Sequence, residues 1–236
     1  MAKKIHTEVE NFYVSYSDMV TLLMIFFVYL FSISDINPVK LVKAAESMNK
    51  EIPNKSTSSL LSENVQAIKK FEYEQKKLEK MQKEIQRYIN EQDMQGKVAV
   101  EYKDGQLDLN LGDAVLFELG RSDLRKEALG ILQKLALMFQ KSDSYITIEG
   151  HTDDIPIQST VYPSNWELSA ARAGSVARYL QVLAIAPTRF TVIGCSQYKP
   201  LVPNTSAGNQ AKNRRVKITL KPDVQKMMTS SKTRHP

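Results

Sequence analysis

Two places in this sequence carry residue types that could do chemistry. The first is Asp18, the one charge in the 22-residue run FYVSYSDMVTLLMIFFVYLFSI from Phe12 to Ile33. A carboxylate held in hydrocarbon costs several kcal/mol and by default marks a functional position facing a partner or a water path. Out of water it favours taking up a proton or a cation. The second is the string Gly150-His151-Thr152-Asp153-Asp154, followed by Ser164-Asn165-Trp166-Glu167-Leu168-Ser169-Ala170-Ala171-Arg172. Asp153 stands just past a predicted strand and Arg172 on the next predicted helix. Brought to one sheet edge, such a pair can grip a zwitterion, the carboxylate taking an ammonium and the guanidinium taking a carboxylate in fork geometry.

Catalysis is disfavoured. His151, Asp153 and Asp154 are titratable, but no nucleophile is placed beside a base and no second pair of metal ligands is in view, so the chain reads as a non-enzyme with no cofactor. His6, His151 and His235 are too scattered for a metal cage. The single cysteine, Cys195, rules out an internal disulfide and any multi-cysteine cluster. By itself His151 reads as a satisfied sheet-end residue and Cys195 as packing.

The elements that must position these groups are legible from patterning. The chain has 236 residues, 42% hydrophobic and 25% charged, with a net charge of +6. That excludes wholesale disorder and fits one or two domains. The basic excess is too mild to name an anionic partner, and no nucleic acid is expected. The run over 12–34 is long enough to cross the roughly 30 Å hydrocarbon core as an uncleaved helix. Lys3 and Lys4, in the tail 1–11, favour a cytoplasmic N-terminus, and Lys40 and Lys43 weaken that bias. Helical steps from Asp18 reach Ser15, Thr21, Ile25, Tyr29 and Ser32, a mainly polar stripe that one helix cannot enclose. Other helices, from a second copy or another subunit, must cover it.

Pro38 ends that helix and suits the start of an amphipathic stretch within 35–52, lined by Val39, Val42 and Ala45. Pro53 to Ser59 reads as a linker, and 53–95 as linker plus long helix. Within it the stripe Leu61, Val65, Ile68, Phe71, Gln75, Leu78, Met81, Ile85 and Tyr88 has near-coiled-coil spacing. Packing on a domain and dimerisation are both open for this helix. From Gly96 the texture changes. Val98–Tyr102 and Leu107–Leu111 alternate around an Asp104-Gly105 hairpin signal. Ser122 is read as a helix cap, Tyr145–Glu149 as a strand, Trp166–Leu183 as a helix, and Thr191–Ile193 and Arg214–Leu220 as strands. The expected fold class is α+β: one N-terminal transmembrane helix, a linker helix, then a mixed β-sheet with helices packed on it over 96–221, and a basic tail over 222–236.

Thr-Asp followed by Leu-Ser-x-x-Arg-Ala-x-x-Val-x-x-x-Leu resembles the OmpA-like peptidoglycan-binding domain. That resemblance implies that Asp153 and Arg172 hold the diaminopimelate of a stem peptide. It also implies that Thr152, Asn165 and Leu168 line the pocket, with Arg214 of Asn213-Arg214-Arg215-Val216 a further contact. The helix Tyr16-Ser17-Asp18-Met19-Val20-Thr21 resembles that of flagellar motor stator B subunits, the MotB/PomB family. There the Asp binds the permeating ion, so the resemblance implies ion binding at Asp18 and Thr21 and a plug over Val39 to about Lys50. It further implies a homodimer inside a ring of polytopic MotA/PomA-like subunits, acting on a rotor through that ring. The location implied is the bacterial inner membrane, with the C-terminal domain periplasmic on peptidoglycan. Whether the ion is H+ or Na+ stays open; Leu22 to Val28 looks slightly more like sodium-type members. Three other readings stand beside it: a related motor with another client such as anti-phage defence, a non-conducting wall anchor, and a TolR/ExbD-type transducer. The last would lack the wall motif.

Overall fold

A computed structural model describes residues 2–33 and 55–223, with side chains described from 13 to 29 and, Ala67 apart, from 66 to 223. The expected plug over 35–52 and nearly all of the tail over 222–236 lie outside the described residues. Contacts divide the chain into two units, Met1–Val65 and Gln66–Pro236. In the first, helix α1 spans Ala2–Ile33. Every described side chain on it is exposed, among them Leu22, Leu23, Ile25, Phe26 and Phe27. Among the described residues no helix is long and apolar enough to cross a membrane; the described side chains of α1 stop at Tyr29, inside the apolar run.

The second unit begins within α2 (Lys55–Glu91), which leads to β1 (Val98–Lys103), β2 (Gln106–Gly112) and the short α3 (Asp113–Leu116). Then come α4 (Lys126–Phe139), β3 (Tyr145–His151), α5 (Asn165–Val182), β4 (Phe190–Gly194), α6 (Ala207–Asn213) and β5 (Arg215–Lys221). The sheet order is β1-β2-β5-β3-β4, with β3 and β4 parallel and the other pairs antiparallel. The β1–β2 connection is a tight hairpin because Asp104 and Gly105 both take positive φ, 52° and 77°. That is the conformation a two-residue turn needs to match strand twist.

Period-2 alternation sets the two faces of the sheet. Leu107, Leu220 and Ile146 sit in one cross-strand row and Leu109, Ile218 and Ile148 in the next, all fully buried. Leu132, Leu135, Phe139, Val176 and Leu180 of α4 and α5 belong to the same core. The opposite face is polar, with Asp108 bonded to Lys217 at 3.0 Å and to Thr219 at 2.6 Å. Helix α5 lies close on β3 and β4. A Cβ on Gly150 would fall 2.0 Å from the Ser169 carbonyl oxygen, and one on Gly194 would fall 2.8 Å from Ala170 Cβ.

Several expectations are corrected in detail. Helix α2 starts at Lys55, so the segment read as linker is helical from there. Over its described length α2 buries Glu74, Leu78, Met81, Ile85 and Ile89, so it packs one face on this domain. The buried row therefore runs through Glu74 and Ile89 where the spacing had placed Gln75 and Tyr88. Glu74 is drawn inward because Ser142 donates to it at 2.9 Å. Helix α4 starts at Lys126 with Arg125 as its N-cap, and the Ser122 hydroxyl instead meets the Tyr162 hydroxyl at 2.6 Å. Helix α6 was not anticipated from the sequence.

Candidate functional site

Asp153 leaves the end of β3 in an Asx turn, accepting from the Ile155 amide at 3.2 Å. Beside it the Thr152 amide donates to the Ser196 carbonyl at 3.0 Å, which fixes the strand end to the segment after β4. The facing helix α5 starts on a capping box: Ser164 accepts from the Trp166 amide at 3.2 Å and donates to Glu167 at 2.5 Å. That start places Asn165 against the turn. Its amide donates to the carbonyls of Asp153 at 3.4 Å and Ile155 at 3.0 Å, and to Gln197 at 3.2 Å. Two turns on, Arg172 lines the same cavity as that turn. The last contributor, Arg214, follows α6 and precedes β5.

Thr152, Asp153, Asn165, Leu168, Arg172 and Arg214 all line one cavity of about 250 Å³, with Leu119, Ile155 and Ile157 among its apolar walls. The six residues singled out from the sequence for this region are therefore brought together. Their pairing differs from the expected Asp153–Arg172 couple. Arg214 donates to Asp153 at 2.5 Å, whereas Arg172 donates to Asp113 at 3.0 Å and to the Arg121 carbonyl at 2.8 Å. Arg172 also lies over the Phe117 ring at 5.3 Å. Asp113 has Arg214 at 3.9 Å as a second cation, so the charges alternate Arg172, Asp113, Arg214, Asp153.

Asp113 is the residue that sequence reasoning missed. It is 6% exposed, on the four-residue helix α3, where neither helical nor strand period can single it out. Burial lifts its carboxyl above the ordinary aspartate value, and Arg172 and Arg214 pull it back. Burial likewise lowers Arg172, and Asp113 supports its charge. Thr152 and Asn165 spend their polar groups inside the turn, Thr152 donating to the Asp153 carbonyl at 2.9 Å. Both brace the turn that carries Asp153. Arg214, with 27% of its side chain exposed, is the more open cation. A larger groove of about 730 Å³ is lined by Asp113 and shares Leu119 and Arg214 with the cavity, but none of the other sequence-selected residues. The smaller cavity carries the denser charge chemistry.

Asp18 and Thr21 are exposed on α1. The Thr21 hydroxyl donates to the Ser17 carbonyl at 2.7 Å, a back-bond along the helix.

This fold is that of the OmpA class of domain: the OmpA family matches residues 116–214. A second match, "Membrane MotB of proton-channel complex MotA/MotB", covers residues 2–52. The uncharacterized protein YtxE of Bacillus subtilis is 33% identical over 88% of this chain and 87% of its own. Motility protein B of the same organism is 26% identical over 90% and 91%. Among solved structures, a MotB-like protein from Desulfovibrio vulgaris matches with TM-score 0.59 and 30% identity, over 66% of this chain and 99% of that one. The cell wall anchor of the T6SS from Pseudomonas aeruginosa matches with TM-score 0.55 and 34% identity, over 58% and 96%. The chain belongs to the MotB family and carries a C-terminal OmpA-like domain.

Proposed function

We propose that this chain is a wall-anchored, ion-conducting stator subunit of a flagellar-type motor. Its α1 spans the inner membrane with the N-terminus cytoplasmic, and two copies sit within a ring of MotA-like subunits. The Asp18 stripe faces those neighbours. An H+ or Na+ ion binding to Asp18, near Thr21, neutralises the carboxylate, and its release restores the charge. Each exchange changes the favoured packing against the ring and drives a step, which the ring passes to the rotor. The OmpA-like domain holds peptidoglycan, so the reaction torque is borne by the wall. Support comes from the family match over residues 2–52 and from a lone carboxylate in an apolar run.

The observation that carries the wall reading is the alternating Arg172, Asp113, Arg214, Asp153 array, of which Arg172, Arg214 and Asp153 line a cavity sized for a small polar group. The array is neutral as a whole and presents both signs. A zwitterion such as the free end of diaminopimelate can place its ammonium on Asp153 and its carboxylate on Arg214 and Arg172 by exchanging one ion pair for two. Full-length Asp153→Ala and Arg214→Ala chains should lose pull-down on isolated peptidoglycan with circular dichroism unchanged, and Arg172→Ala should lose it together with stability, since Arg172 is the buried partner of Asp113. Retention by folded Asp153→Ala and Arg214→Ala chains refutes the reading.

A second reading, a wall anchor serving another machine, is favoured by the likeness to the cell wall anchor of a secretion system. It predicts peptidoglycan binding without any requirement for Asp18.

A further inference from the structure

Three potential ligand atoms converge on the polar face of the sheet, and none of their residues lines either cavity. Glu149 and His151 are two apart on β3 and so share a face. Cys195 follows β4, where its amide donates to the Gly150 carbonyl at 2.9 Å. One oxygen, Glu149 Oε2, lies 3.4 Å from His151 Nε2 and 3.8 Å from Cys195 Sγ. All three ligand atoms lie within 4.8 Å of one another. A tetrahedral ion with bonds of about 2.0–2.3 Å to N, O and S has ligand–ligand edges of roughly 3.3–3.8 Å.

His151 supplies the independent reason to look for a ligand. It is 2% exposed, yet neither ring nitrogen has a hydrogen-bond partner, Nε2 meeting only the Glu149 carboxylate at ion-pair range, 3.4 Å. A buried imidazole with two idle nitrogens is costly, and a metal on Nε2 would satisfy one of them. Arg215, across the β3–β5 pair, and Lys199 place positive charge nearby. One carboxylate against two cations makes a poor Ca²⁺ or Mg²⁺ site. A thiolate, an imidazole and a carboxylate suit an ion of borderline softness, and the thiol proton leaves as the metal binds.

We propose that Glu149, His151 and Cys195 form a three-ligand site for a borderline-soft divalent ion, Zn²⁺ being the representative, with the fourth position left to water. Such an ion ties the end of β3 to the end of β4, directly before Thr152 and Asp153. The site is independent of the proposed motor function.

Cobalt tests it, because the chain has one cysteine and any thiolate-to-cobalt charge-transfer band must report Cys195. The full-length chain in detergent and thiol-free buffer should develop that band with one equivalent of Co²⁺, and Zn²⁺ should bleach it. Cys195→Ser should abolish the band, and Glu149→Gln should weaken binding. Zn²⁺ should raise the melting temperature of the wild type but not of Cys195→Ser, whose metal-free melt should match the wild type. No thiolate band at excess Co²⁺, with the free thiol verified by titration after denaturation, overturns the site. So does cobalt binding that is unchanged in Cys195→Ser.

Discussion

Asp113 and Asp18 are both carboxylates among apolar neighbours, and they differ in where their partners come from. Asp113 is enclosed by its own domain, with Arg172 at 3.0 Å and Arg214 at 3.9 Å as countercharges. Asp18 lies exposed on α1, surrounded along the helix by Leu22, Leu23, Ile25 and Phe26, which are exposed as well. A buried charge is tolerated when the chain supplies its counterion; one left without a counterion needs another molecule or a bound ion. The first carboxylate is therefore part of folding, and the second is the one on which the proposed work with a partner rests.

The largest expected effect follows from that contrast. Asp18→Asn should leave expression and the thermal melt unchanged, since the side chain is exposed in the folded chain. Swimming of a host dependent on this subunit and its MotA-like partner should be abolished. Full swimming would break the contrast, placing Asp18 among inert surface residues. The reverse pattern is expected at Asp113. Asp113→Ala leaves Arg172 buried without compensation and should destabilise the domain by about 3–5 kcal/mol, read by chemical denaturation of the full chain. Combining Asp113→Ala with Arg172→Met removes both charges and should recover much of that loss. A double variant no more stable than the single one would show that the ion pair is not the source of the cost.

Next in size is Gly150→Ala. Its Cβ would meet the Ser169 carbonyl oxygen at 2.0 Å, and backbone cannot yield as a side-chain end would. Overpacking of this kind costs about 1–3 kcal/mol or more. It should also push α5 off β3, separating Arg172 from Asp153, so peptidoglycan pull-down should weaken along with the melt. A shift in the melt with binding intact would show that the cavity does not depend on this close contact.

What could be read in the sequence divides along the same line. Asp104-Gly105 and the Leu107-Leu109-Leu111 alternation each encode a local rule, and they appear in the structure as a hairpin and a buried sheet face. Thr152 to Arg172 were findable because a motif joins them over a short stretch of chain, and Arg214 through the separate string Asn213-Arg214-Arg215-Val216. Asp113 was not, because it sits 59 positions from Arg172 on a helix too short to show a period. In α2 the spacing reported a helix and its period but not its phase. Gln75 and Tyr88 suit the stripe as well as Glu74 and Ile89 do, and only Ser142 and the core decide between them. For Asp18 the carboxylate is legible and the helices proposed to cover it are not, since they would belong to other chains.

The smallest effect tests how α2 is held to the domain. Lys141 donates to Glu84 at 2.8 Å, tying the helix to the residues just after α4. That hydrogen bond is the main reason the Glu84 carboxyl lies below its ordinary value; burial opposes it and Lys80 and Arg87 add to it. A carboxyl depressed in the folded state contributes stability that is present above its unfolded value and lost as pH falls through the folded one. Lys141 is 60% exposed on its side chain and Glu84 31%, so solvent screening keeps the contribution to a few tenths of a kcal/mol. Glu84→Gln should therefore lower stability slightly at neutral pH. The difference from the wild type should vanish at a pH below the folded Glu84 value, where the wild-type carboxyl is protonated too. High salt should shrink the neutral-pH difference in the same direction. A difference that persists undiminished in acid and in high salt would mean that Glu84 holds α2 by packing, and that the apolar row Leu78, Met81, Ile85 and Ile89 has help from its aliphatic stem rather than from its charge.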